Sequence, residues 1–198
     1  MANSDTPFGL RPVRYVSGAP YNGAVNVYST PSGDATAIYI GDPVKMASTS
    51  QTINGRVFAD VIQAATGDVI TGIVVAVDPS EGAGADGRDS TKYRAASTVR
   101  LVYVADDPNL LFEIQEVSGG TALAANDIGL NADFVVGSGS TVTGQSGVEL
   151  NNSGEADTAS LDVKIVGFMN REDNAIGEHA KWLVRLNRHR YVNQVAGT

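Results

Sequence analysis

Few residues in this 198-residue chain have types and spacings that could do chemistry. Gly82-Ala-Gly-Ala-Asp-Gly87 spells the dinucleotide-binding fingerprint, and it follows the apolar run Val69–Val77. That chemistry needs a helix to begin inside the motif, so that its N-terminal amides meet the pyrophosphate. The short stretch from Arg88 onward leads directly to the next strand pattern at Val99, which leaves no room for a crossover helix. The motif therefore reads as a surface loop. His179 and His189 are the only two histidines, and their spacing offers no third metal ligand on a shared face. Ser146, in Gly144-Gln-Ser-Gly147, lacks the strand-to-helix elbow that exposes a nucleophilic serine. Asp106 and Asp107 fall in Ala105-Asp-Asp-Pro-Asn109, which is first a turn former, and no acidic run has EF-hand spacing. The expectation is a chain that is not an enzyme, with no catalytic residue, cofactor or metal.

The last basic segment is the richest remaining pattern. Lys181, Arg185, Arg188 and Arg190 accompany Trp182 and Tyr191, a mixture able to stack bases and pair phosphates. By period two, Trp182, Val184 and Leu186 share one face, and Leu183, Arg185, Asn187 and His189 share the other. A strand with a core face and a solvated basic face explains the pattern, and such a strip can meet an acidic partner protein. Fourteen Lys and Arg against 22 Asp and Glu, a net charge of -8, argue against direct nucleic-acid binding. The charge is segregated: residues 101–163 hold ten acidic side chains and no Lys or Arg, while 164–198 carry a net +3. This polarity predicts that 101–163 faces solvent and that the basic last strand faces a partner.

Strand signals position these residues. Alternating or β-branched runs occur at 24–28, 36–40, 44–47, 57–62, 69–77, 99–104, 110–116, 161–168 and 181–192. The runs 99–104 and 110–116 flank the Asp-Asp-Pro-Asn turn and read as a hairpin. Only Thr121–Asn126 looks helical. The fold class expected is all-β: a compact antiparallel β-sandwich or barrel with long Gly/Ser/Asn-rich loops at 78–92 and 136–160. Residues 1–22 hold Pro7, Pro12 and Pro20 with six large apolar residues, and read as an extended N-terminal arm on a single β domain at 23–198. Packing along its own domain and packing on a neighbour both satisfy such an arm. Phe8, Leu10, Arg11 and Tyr15 of the arm, with Arg185, Arg188 and Arg190, are the expected partner contacts. There is no Cys, hence no disulfide framework. The apolar runs are too short to span a membrane as a helix, and the first residues carry no signal-peptide pattern.

Five stretches stand out in order along the chain: Asp5-Thr-Pro-Phe-Gly-Leu-Arg-Pro-Val-Arg-Tyr15, Tyr103–Pro108 with Phe112–Glu116, Asp127–Asp133, Thr143–Leu150 and Ala180–Asn187. In this order and spacing they resemble a family of tailed-bacteriophage head proteins described as structural, decoration or cement proteins. The resemblance implies a virion component, made in the host cytoplasm and placed on the outside of the capsid. It further implies a homo-oligomer, often a trimer, that binds the phage major capsid protein and stabilises the shell. None of the five stretches is a catalytic signature. Alternative roles are a major capsid subunit, a head–tail joining protein, or a glycan-binding surface β-module.

Overall fold

The computed structural model describes residues 3–78 and 92–192. The Gly82–Gly87 motif and most of the loop expected at 78–92 lie outside the described residues. Fourteen strands occur among those described: β1 (Arg11–Tyr15), β2 (Asn26–Ser29), β3 (Ile38–Tyr39), β4 (Pro43–Ile53), β5 (Arg56–Gln63), β6 (Gly72–Val77) and β7 (Tyr93–Arg94), followed by β8 (Leu101–Ala105), β9 (Leu110–Gln115), β10 (Asn131–Ala132), β11 (Phe134–Gly137), β12 (Gly147–Leu150), β13 (Val163–Phe168) and β14 (Lys181–Leu186). The protein is all-β. The helical expectation at Thr121–Asn126 reduces to one 3-10 turn at Ala125–Asp127, too short to satisfy its own backbone over more than a turn.

The strands form two main bodies. β2, β5, β4, β6 and β8 close on themselves, while β1, β9, β14, β13 and β10 lie in that order in an open five-stranded sheet. The closed set packs Tyr28, Ile38, Val44, Val61, Val74, Val77, Val102 and Val104 together. Ile73 and Ala105 of the same strands also join Leu10, Phe112, Ile114, Trp182 and Val184 in the larger core, so the two bodies share apolar packing. β4 and β5 form a hairpin closed by Asn54 (φ 51°) and Gly55 (φ 77°), a primed turn whose left-handed residues match the strand twist. Its polar Ser48–Thr52 stretch carries no hydrophobic alternation, which is why only 44–47 was legible as strand.

Two expectations are corrected. The runs 99–104 and 110–116 do not pair: β8 bonds β2 and β6, whereas β9 bonds β1 and β14. The Asp-Asp-Pro-Asn turn forms, with the Asn109 and Leu110 amides donating to Asp107, but it passes the chain from one body to the other. The acidic stretch 101–163 is not a solvent-facing region, because it supplies β9, in which all six residues are buried. Of the two ways of placing the N-terminal arm, residues 3–22 pack along their own domain: β1 is the terminal strand of the open sheet, and Leu10 is 1% exposed within the core. Within the loop expected at 136–160, β11 and β12 pair as a ribbon.

One buried cation organises the chain around 31–36. Arg94 is fully buried, and its guanidinium donates to the carbonyls of Pro31 (2.6 Å), Asp34 (3.1 Å), Thr36 (2.6 Å) and Thr98 (2.8 Å). It also pairs with the Asp34 carboxylate at 3.2 Å. Removing it takes the donor from four part-buried carbonyls and the partner from a carboxylate, and leaves a hole where the guanidinium sat. Arg94→Met is expected to lower stability by about 3 kcal/mol or more. Arg94→Lys recovers little of that, since an ammonium lacks the planar fork; urea unfolding midpoints measure both.

Candidate partner-binding face

The open sheet brings together basic residues that are far apart in sequence. Arg14 lies opposite Leu111, Leu111 opposite Arg185, and Arg185 opposite Lys164, a row across four strands. One row along, Arg11 lies opposite Glu113 and Glu113 opposite Leu183. Directly opposed residues share a sheet face, so Arg11, Arg14, Lys164 and Arg185 line one side. A register irregularity in β1 between Pro12 and Arg14 makes this possible. Strict alternation would place Arg11 and Arg14 on opposite faces; one extra residue restores them to the same face.

Glu113 is the acid of this face, 3% exposed. It is held between Arg171 Nη2 at 2.8 Å and Arg11 Nη1 at 3.8 Å. The pairing neutralises the buried carboxylate and leaves the outward surface basic. Lys164 donates to the Gly129 carbonyl at 3.2 Å, and burial pushes its pKa down.

Residues 3–10 are laid beside this face by close backbone packing. Gly9 (φ 72°) abuts Gly41 (φ 98°): a Cβ on Gly9 would lie 2.4 Å from the Gly41 carbonyl oxygen and 2.6 Å from Ser146 Cβ. No other residue fits there. The Leu10 amide then donates to the Gly41 carbonyl at 2.9 Å, and Leu10 enters the core. Phe8 remains half-buried, with the Arg11 guanidinium 4.4 Å from its ring centroid. Phe8 and Arg11 border a pocket of about 300 Å³ with Tyr21 and Ile40, and a wider groove of about 650 Å³ and mixed lining that includes Asp5, Thr143, Gln145 and Ser146.

The expected partner contacts separate into distinct groups. Phe8 and Arg11 reach the surface, whereas Leu10 is buried and Tyr15 packs in part against the core. Arg185 is on the basic face but donates to the Pro108 carbonyl at 2.9 Å. Arg188 lies beyond the end of β14, donating to the carbonyls of Ser160 (2.7 Å) and Asp68 (3.3 Å), so it stitches loops together. Arg190 is exposed. The solvated basic face expected along 181–192 is therefore corrected: β14 is an inner strand, and Lys181, Leu183 and Asn187 are buried along with Trp182. Arg14, Lys164 and Arg171 were not singled out from sequence, because only register and the β1 irregularity align them.

Arg188 also lies 3.9 Å from Asp162, a carboxylate with no exposed surface. Burial, and then the neighbouring Asp133 charge, push the Asp162 pKa up to about 7, against the Gly67 amide and Arg188. Burial likewise raises Asp42 to about 6. A carboxyl that holds its proton more tightly when folded contributes most stability at low pH, and that contribution is lost as pH rises from about 4 through 7. Asp162→Asn escapes the penalty. The stability difference between the variant and the parent is expected to grow across that window by roughly 1–3 kcal/mol and then level off, as read from denaturant unfolding at a series of pH values.

Compared with protein-family models, with curated proteins and with solved structures, the chain matches none.

Proposed function

We propose that this chain is a structural protein of a tailed-phage virion, a capsid decoration or cement protein that binds the outer surface of the major capsid shell and stabilises it. The five stretches resembling head proteins support this reading. The observation that carries it is the face on which Arg11 and Arg14 of the first strand meet Arg185 and Lys164 of two strands near the other end of the chain. On a protein of net charge -8, that clustering is a device for recognising an acidic surface. In this reading the two β bodies form one compact unit, the protein acts as a trimer without catalysis, and repetition around a symmetric shell multiplies weak contacts. The membrane and nucleic acid have no direct part in it.

The groove beside Phe8 favours a second reading, a glycan-binding surface module, since the hydroxyl and amide side chains of Thr143, Ser146 and Gln145 next to an aromatic ring suit sugar recognition.

Excising residues 2–20 would remove β1 and Leu10 and confound binding with folding, so point variants test the face. Arg14→Ser is expected to leave stability within about 0.5 kcal/mol, and Arg11→Ser to cost on the order of 1 kcal/mol, since Glu113 keeps Arg171 as counter-charge. The double variant Arg11→Ser/Arg14→Ser should lower occupancy on purified shells about tenfold at moderate salt, with a weaker salt dependence. Particle density outside a continuous shell, seen by electron cryomicroscopy and lost in the variant, is the positive outcome. Full occupancy by the variant defeats the proposed face; absence of the protein from shells, with binding on a glycan array, favours the second reading.

A further inference from the structure

The N-terminal segment, β12 and the loop before β14 converge on a cluster over Gln115, at the end of the sheet face away from Arg14 and Arg185. Asp5, Glu149 and His179 each offer one ligand atom, and these atoms all lie within 4.8 Å of one another. His179 Nδ1 is 3.5 Å from Asp5 Oδ1. The buried Gln115 donates through Nε2 to Asp5 at 3.0 Å and to Glu149 at 2.8 Å, and the same nitrogen is 3.5 Å from His179 Nδ1. An amide nitrogen has two hydrogens, and the two carboxylates use both. The imidazole nitrogen therefore takes no strong hydrogen bond from Gln115, and the two carboxylates face each other across a neutral group.

We propose that Asp5, Glu149 and His179 form a binding site for one divalent transition-metal cation of the zinc class, which clasps the N-terminal segment to the sheet. One imidazole nitrogen and two carboxylate oxygens form a borderline donor set that suits zinc, cobalt or nickel. Calcium and magnesium instead call for six or more oxygens. Coordination bonds of about 2.0–2.2 Å draw the three atoms inward by side-chain rotation, and Asp5, the most exposed of the three, lines the 650 Å³ groove through which the ion arrives. The neighbouring bonds show what the clasp would reinforce. Asn3 donates to the carbonyls of Ala175 (2.8 Å) and Glu178 (2.9 Å), Lys181 Nζ to Ser4 O (3.2 Å), and the Thr6 amide to Gln115 Oε1 (3.1 Å). Ligands drawn from positions 5, 149 and 179 tie three remote parts of the chain, so the ion acts as a staple between them.

The test uses the full chain, stripped with chelator and titrated with zinc by calorimetry and with cobalt by visible absorption. One ion per chain is expected, with d–d bands of a low-symmetry N/O site and slower proteolytic clipping of the first residues in its presence. His179→Ala and Glu149→Gln should each weaken binding at least ~10-fold and abolish the protection. Asp5→Asn, at an exposed position, should do the same with the fold intact. Absence of saturable binding up to millimolar zinc at neutral pH overturns the site; so does binding that is unchanged in Asp5→Asn and His179→Ala.

Discussion

The structure depends on an open sheet in which two of the three inner strands, β9 and β14, are buried on both faces. Every residue of β9 is inaccessible, and five of the six in β14 are. One face meets the apolar core; the other is covered in part, by residues 4–6 over Gln115 and Lys181 and by Arg171 and Asn174 of the 169–180 loop, and leaves Arg11 and Arg14 exposed. Polar residues on the covered side therefore need partners, because an unpaired buried charge costs several kcal/mol. Glu113 has two arginines, Gln115 has Asp5, Glu149 and Thr6, and Lys181 has Ser4. The first residues of the chain are consequently structural, and their chemistry is fixed by what lies beneath them.

The core face shows the same constraint in sharper form. Trp182 Nε1 donates to the fully buried Glu116 at 2.6 Å, and Glu116 in turn accepts from the Leu123 amide at 3.3 Å. Burial raises the Glu116 pKa, and these donors oppose the shift. Phe168 packs edge-on against the indole at 5.1 Å between centroids. The largest core side chain is thus fixed by a polar handle as well as by packing, which ties β14, β9 and the 121–124 segment into one unit.

The sequence made some of this legible. β5, β6, β8, β9, β13 and the first half of the last strand follow from their β-branched alternation or apolar runs, and the all-β class follows from them. Pairing was not legible: the Asp106–Asn109 turn has the same composition whether it closes a hairpin or links two bodies. The burial of Leu10 and the Gly9–Gly41 approach depend on segments more than thirty positions apart. The basic face was half legible. Arg11 and Arg185 were visible as charges, but their shared face rests on an irregularity in β1 and on β9 lying between β1 and β14. The His179 cluster joins three positions with no common spacing, so no local motif could announce it.

The two ends of the open sheet are both blunted. On one side the outer edge of β1 is occupied by the chain's own return, through the Tyr15 amide to Ala19, the Tyr21 amide to Val13 and a bridge from Arg14 to Pro20, a residue with no amide hydrogen to offer. On the other, β10 is two residues long and is bridged by Ala156. Neither border offers a long row of unused backbone groups to another molecule. Copies crowded at high local concentration can then meet through side-chain surfaces without fusing into continuous sheets. That keeps any assembly reversible and its geometry set by charge and shape rather than by backbone zippering.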